Sequence, residues 1–145
     1  MNNSTLLSFD IINQSQHTDL GIEAWLDDNC FFDNTIDQGT VHASTNFLDN
    51  EGPHKLIFKL KNKKEFHTTV DDQNNIIDDA LIDIRNVTIE GIDIDLLLYN
   101  IAVYTHDTNG TSDFAEHKFF GTLGCNGTVE FNFTTPFYIW LLENM

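Results

Sequence analysis

Apolar and polar residues alternate along most of this 145-residue chain. In TLLSFDII, Leu7, Phe9 and Ile11 alternate with Ser8 and Asp10. Leu20, Ile22, Ala24 and Leu26 share one parity, as do Val41, Ala43, Thr45 and Phe47. Leu56, Phe58 and Leu60 alternate with Lys55, Lys59 and Lys61, and Val129, Phe131 and Phe133 with Glu130 and Asn132. A period of two buries one face of a strand and wets the other, which marks antiparallel sheets. Stretches rich in Asn, Asp and Gly at 49–53, 61–65, 71–75 and 108–113 supply turn chemistry between them. About nine short strands at this spacing predict an all-β fold, an antiparallel, jelly-roll-like β-sandwich in a single domain over 1–145.

Two segments break the alternation. In ALIDIRNVTIEGIDI, Ile82 and Ile84 are even but Val87 and Ile89 odd, so a bulge near Arg85 and Asn86 must reconcile the faces. The other is the ending, TTPFYIWLLENM, which predicts a short C-terminal helix. Thr135 suits its cap and Pro136 its first position, and Phe137, Trp140 and Leu141 follow at helical spacing. So short a helix is unstable alone. It either plugs the sandwich end or offers Phe137, Tyr138, Trp140 and Leu141 to another chain as an interface. The segment 93–100 reads as a short helix or as a strand continuing to Tyr104. Asn126-Gly127 reads as a tight hairpin turn joining Leu123 to Val129.

A net charge of -16 repels phosphate backbones and anionic lipid, which argues against nucleic acid and membrane as partners. No run approaches the ~18 apolar residues of a membrane span. The first residues lack the basic start and long apolar run of a signal peptide, so secretion by one is not expected. Five of the seven basic residues fall between Lys55 and Lys64. Lys55, Lys59 and their neighbours therefore read as charge blunting of an exposed hairpin or edge strand, or as a positive docking patch.

No nucleophile elbow, zinc spacing or phosphate-binding loop occurs, and the chain reads as a non-enzyme. Asp107, Asn109 and Asp113 surround Gly110 and present the oxygen ligands that calcium prefers in a tight loop. Trp25 lies on the polar parity of its strand with Glu23 and Asp27, where an indole can stack on a sugar; Tyr104 is the second stacking candidate. These residues define an alternative reading, a calcium-dependent carbohydrate-binding module. Cys30 and Cys125 are either two thiols or one disulfide.

The stretches HTTVDDQNNIIDDALIDI, YTHDTNG and FFGTLGCNGTVEFNFTTPFYIWLLENM together resemble a set of small proteins encoded by contractile-tailed phages of marine cyanobacteria. The resemblance runs from about His54 onward and is densest at the C-terminus. It implies a phage origin, a place in the virion or host cytoplasm, and other virion subunits or further copies of the chain as partners. It carries no catalytic residue across. The resulting expectation is a bacteriophage structural or accessory protein acting through subunit contacts.

Overall fold

A computed structural model describes residues 4–48, 52–64, 67–108 and 111–144, without the side chains of residue 108 and residues 111–114. The alternating segments form two antiparallel sheets. One contains β1 (Ser4–Asn13), β4 (Gly39–Leu48), β8 (Ile82–Ile89), β9 (Ile92–Asp93) and β12 (Thr122–Leu123), in the order β12-β8-β1-β4, with β9 also paired to β8. The other contains β2 (Gly21–Leu26), β3 (Asn29–Thr35), β5 (Gly52–Lys61), β10 (Val103–Thr108), β11 (Thr111–Lys118) and β13 (Gly127–Thr135), in the order β11-β10-β13-β5-β2-β3. A small hairpin, β6 (Thr68–Val70) and β7 (Ile76–Asp79), stands apart from both. The chain crosses repeatedly between the two sheets. The fold is an all-β antiparallel sandwich, jelly-roll-like, with a C-terminal helix.

Much of the core is made of residues the alternation selects. Leu7, Phe9, Ile11, Ile82, Ile84, Val87 and Ile89 line the first sheet; Ile22, Ala24, Leu56, Phe58, Leu60, Val129, Phe131 and Phe133 line the second, and all are buried. Phe9 meets Phe58 edge-on across the layers, with ring centroids 4.8 Å apart. The phase change is a bulge at the expected place. Ser8 opposes Thr88 and Asp10 opposes Arg85, so β8 carries one extra residue. Asn86 takes a positive φ of 57° there. Its backbone N–H and that of Val87 donate to the Asp95 carboxylate at 2.9 and 2.8 Å, which satisfies donors that the bulge removes from the ladder.

The lysine cluster does not lie on an edge. Strand β5 is hydrogen-bonded to β13 on one side and β2 on the other. Its lysines point outward from the middle of the sheet, and acids on flanking strands meet them. Lys55 pairs with Glu130 at 2.9 Å, and Lys61 with Asp33 at 2.6 Å and Glu23 at 3.1 Å. Lys59 is exposed and opposes Glu23 in register. Charge pairing across strands replaces the expected edge blunting.

The expected hairpin at Asn126-Gly127 is absent. Leu123 belongs to the first sheet and Val129 to the second, so the turn passes between layers. Gly127 serves a different need. A Cβ there would sit 2.2 Å from the Thr105 carbonyl oxygen, so only glycine lets β13 approach β10 this closely. Asn126 in turn imitates a strand for Lys63: its Oδ1 accepts from the Lys63 N–H at 2.8 Å and its Nδ2 donates to the Lys63 carbonyl at 2.9 Å.

Candidate functional site

Two short helices define one end of the sandwich. The segment left open between helix and strand is helical, α1 (Asp95–Ile101), and the chain ends in α2 (Phe137–Asn144). Thr135 is the last residue of β13, and Pro136 separates it from the start of α2. The Thr135 hydroxyl lies near Gly52 O and His54 Nε2, and the Pro136 carbonyl accepts from Ile139 and Trp140. The apolar ending divides by face. Phe137 and Trp140 are buried against Phe131 and Phe133, with ring centroids 5.5 to 6.4 Å apart. These two residues seal the molecule's own core and are withdrawn from the expected interface. Tyr138, Ile139 and Leu142 turn outward, with Leu142 74% exposed, and Leu141 is half-buried.

With Leu141 and Asn144, α2 joins α1 in bounding an open groove of about 660 Å³. Ile92, Leu96, Leu97, Ile101 and Leu141 make it apolar; Asp93, Asp95, Asn100 and Asn144 are the polar residues of its lining. Leu96 is 76% exposed while Leu98 is fully buried. Only helical geometry separates three consecutive leucines in this way, since Leu98 faces inward and Leu97 and Ile101, one turn apart, share the groove side. Leu96, Leu97 and Ile101 escaped the sequence reading because that segment fits either period. The run of three leucines was the available signal.

The outer face of the six-stranded sheet carries Trp25. Its indole N–H donates to Glu23 at 2.8 Å, so the half-buried ring is pinned along β2. That hydrogen bond, and then Lys61, hold the Glu23 carboxyl below its usual range. Tyr104 cannot act as the second stacking residue. It points into the core at 7% exposure, and its hydroxyl is engaged by the Cys125 backbone, donating to the carbonyl and accepting from the N–H. Burial pushes its pKa up to about 12. Cys30 and Cys125 are not joined in a disulfide.

Of the three expected calcium ligands, Asn109 and the Asp113 side chain lie outside the described residues. Asp107 Oδ1 is buried and has no hydrogen-bond partner among the described residues. A carboxylate oxygen so placed fits a cation, which would relieve its desolvation. The Asp- and Asn-rich turn at 71–75 closes on itself. Asp71 accepts the N–H groups of Asn75 and Gln73, both at 2.9 Å, and these bonds lower its pKa.

His17, Asp19 and His67 also converge, with candidate ligand atoms within 4.8 Å of one another. The hydrogen bonds argue against a metal here. His67 Nδ1 accepts the Lys64 N–H at 2.7 Å, so the proton of the neutral ring sits on Nε2, which donates to Asp19 at 2.7 Å. A metal-bound imidazole instead donates from its other nitrogen. The cluster ties His67, just before β6, to the segment before β2.

No protein-family model matches the chain. No curated protein matches it either. Among solved structures it is similar to one described as vCBM60 in complex with galactobiose, at 12% identity and a TM-score of 0.46 over 88% of this chain and 98% of that one. A likeness that remote carries no functional argument. The class of protein is defined by the structure itself, an antiparallel β-sandwich with a helical end.

Proposed function

We propose that this chain is a non-catalytic structural or accessory protein that acts through contacts with other protein subunits at the helical end. The observation that carries this reading is the apolar groove between α1 and α2. Leu96 is exposed within it, with Leu97, Ile101 and Leu141 also in its lining, and apolar surface gathered in this way is characteristic of interaction sites. The resemblance to cyanophage proteins supplies the setting, a phage particle, and supports this reading without resting on the groove.

Cross-linking mass spectrometry on purified particles, with a reagent that couples carboxylates, tests it. Asp93, Asp95 and Glu143 are expected to link to a neighbouring subunit. Absence of the chain from particles, or links only from the outer sheet face, would overturn the assignment. The variant Leu96→Gln is expected to shift stability by no more than about 0.5 kcal/mol, because that side chain is exposed. Its incorporation into particles should nevertheless fall sharply.

The Asp107 oxygen, without a hydrogen-bond partner among the described residues, favours a second reading, a calcium-dependent carbohydrate-binding module with Trp25 as the stacking residue. Galactobiose is the ligand of the similar structure and is one sugar to include in a binding panel. Under this reading, calcium at ~100 times its dissociation constant stabilises the protein by about 2.7 kcal/mol, seen as a raised melting temperature. Asp107→Asn should abolish that shift. A melting temperature indifferent to calcium removes the reading.

A further inference from the structure

We propose that the groove between α1 and α2 receives an amphipathic helix from a different protein, with basic residues flanking its apolar stripe, and not a second copy of this chain. The inference rests on the subunit-contact reading above and names the chemistry of the occupant.

The floor of the groove is aliphatic, which suits the apolar anchors of a helix laid in a groove. At 1.5 Å per residue, α1 and α2 are each about 10–12 Å long, which matches about two turns of a bound helix. Charge selects among helices. Asp93 and Asp95 are the charged residues in the lining, Glu143 is adjacent on α2, and the lining contains no Lys or Arg. Among the described residues, none of these three acids is ion-paired with a Lys or Arg; Asp95 accepts two backbone N–H groups. A partner whose flanks are basic gains attraction at the rim, and an acidic one is repelled.

A second copy fits poorly. Each chain carries a net charge of -16, and five of its seven basic residues lie on β5 and the loop after it. Lys55, Lys61 and Lys63 are already paired within the chain. The chain's own exposed helices carry no basic residue: both α1 and α2 lack one in the last turn, and their sequences, DLLLYNI and FYIWLLEN, contain none.

The probe is a synthetic, fluorescently labelled peptide of ~18 residues with leucines at i, i+3, i+4 and i+7 and lysines at the remaining positions. A matched peptide carries glutamates in place of the lysines. Fluorescence anisotropy is read at ~150 mM salt, where the Debye length of about 8 Å screens diffuse attraction to the acidic surface. The lysine peptide is expected to bind at least about tenfold more tightly than the glutamate peptide. Leu96→Gln and Ile101→Gln, which remove apolar floor without changing charge, should each weaken it about tenfold. Asp93→Asn, which keeps the Oδ1 acceptor used by the Asp95 N–H, should weaken it a few-fold.

Equal binding of the two peptides would overturn the inference. So would lysine-peptide binding indifferent to Leu96→Gln, since that is attraction to the whole acidic surface. Concentration-dependent dimerisation of the wild-type chain, lost in Leu96→Gln, would overturn the inference while keeping the contact reading. Failure of the cross-links described above removes the contact reading itself.

Discussion

Phe133→Ala is expected to cost about 3–5 kcal/mol and to lower the melting temperature by about 10 °C or more. Phe133 is 2% exposed and is the hub of the sealed end. Its ring lies 5.6 Å from those of Phe131 and Phe137, 6.4 Å from Trp140, 6.0 Å from Phe47 and 5.4 Å from His54. Truncation leaves a cavity between β13 and α2, and it removes the surface on which an eight-residue helix depends. Hydrogen exchange should therefore show α2 losing protection before the central strands do. Phe120→Ala is the control, since that ring is 68% exposed and should change stability by no more than about 0.5 kcal/mol. A loss at Phe133 below about 1 kcal/mol, or α2 still protected, would show that the helix is not held by this cluster. The result bears on function, because α2 is one wall of the groove.

Asp79→Ala should be nearly as damaging, at about 3–5 kcal/mol, and far worse than removal of its partner. The Lys63 side chain is only 3% exposed, and its ammonium donates to Asp79 and to the Ala80 carbonyl, both at 2.5 Å. Without Asp79 a buried charge is left with one neutral acceptor. Lys63→Met is milder, at about 1–2 kcal/mol. Asp79 is 24% exposed and keeps the Thr68 hydroxyl at 2.7 Å, so water can complete its solvation. The double variant should recover most of what Asp79→Ala loses, because no charge is stranded. Denaturant unfolding of the three proteins measures the asymmetry. Equal costs for the two single variants would mean that Lys63 finds water or another carboxylate.

Lys63 shows how far local pattern reaches. In KNKKE it looks like one more lysine of a polar turn, and Lys64 beside it is exposed. Burial of Lys63 follows from Asn126, which clamps its backbone from 63 residues away, and from Asp79 on the separate hairpin. No neighbour in sequence announces either contact. The lysines of β5 were misplaced for the same reason: alternation marks which side of a strand is wet but not whether the strand is central. Gly127 likewise resembles a turn glycine, and its true constraint is the Thr105 carbonyl of another strand.

The candidate site was half legible. The apolar ending marked α2 as a sealing or joining element, and it does the first with Phe137 and Trp140 while keeping Tyr138, Ile139 and Leu142 outside. The partner wall, α1, was hidden because DIDLLLYN satisfies both periods. Trp25 faces outward as its parity requires, whereas Tyr104, chosen by chemistry alone, is a core residue tied to Cys125.

From the sequence by itself came the strands, their inner and outer faces, the bulge at Asn86 and the terminal helix. All of these are set by interactions within a few residues or by a two-residue period, so the chain displays them locally. Tertiary structure alone decided which strands neighbour one another, which lysine is buried, and that two helices distant in sequence share one groove. Those outcomes depend on side chains brought together by the crossing of the chain between sheets, and no short window of residues contains both partners.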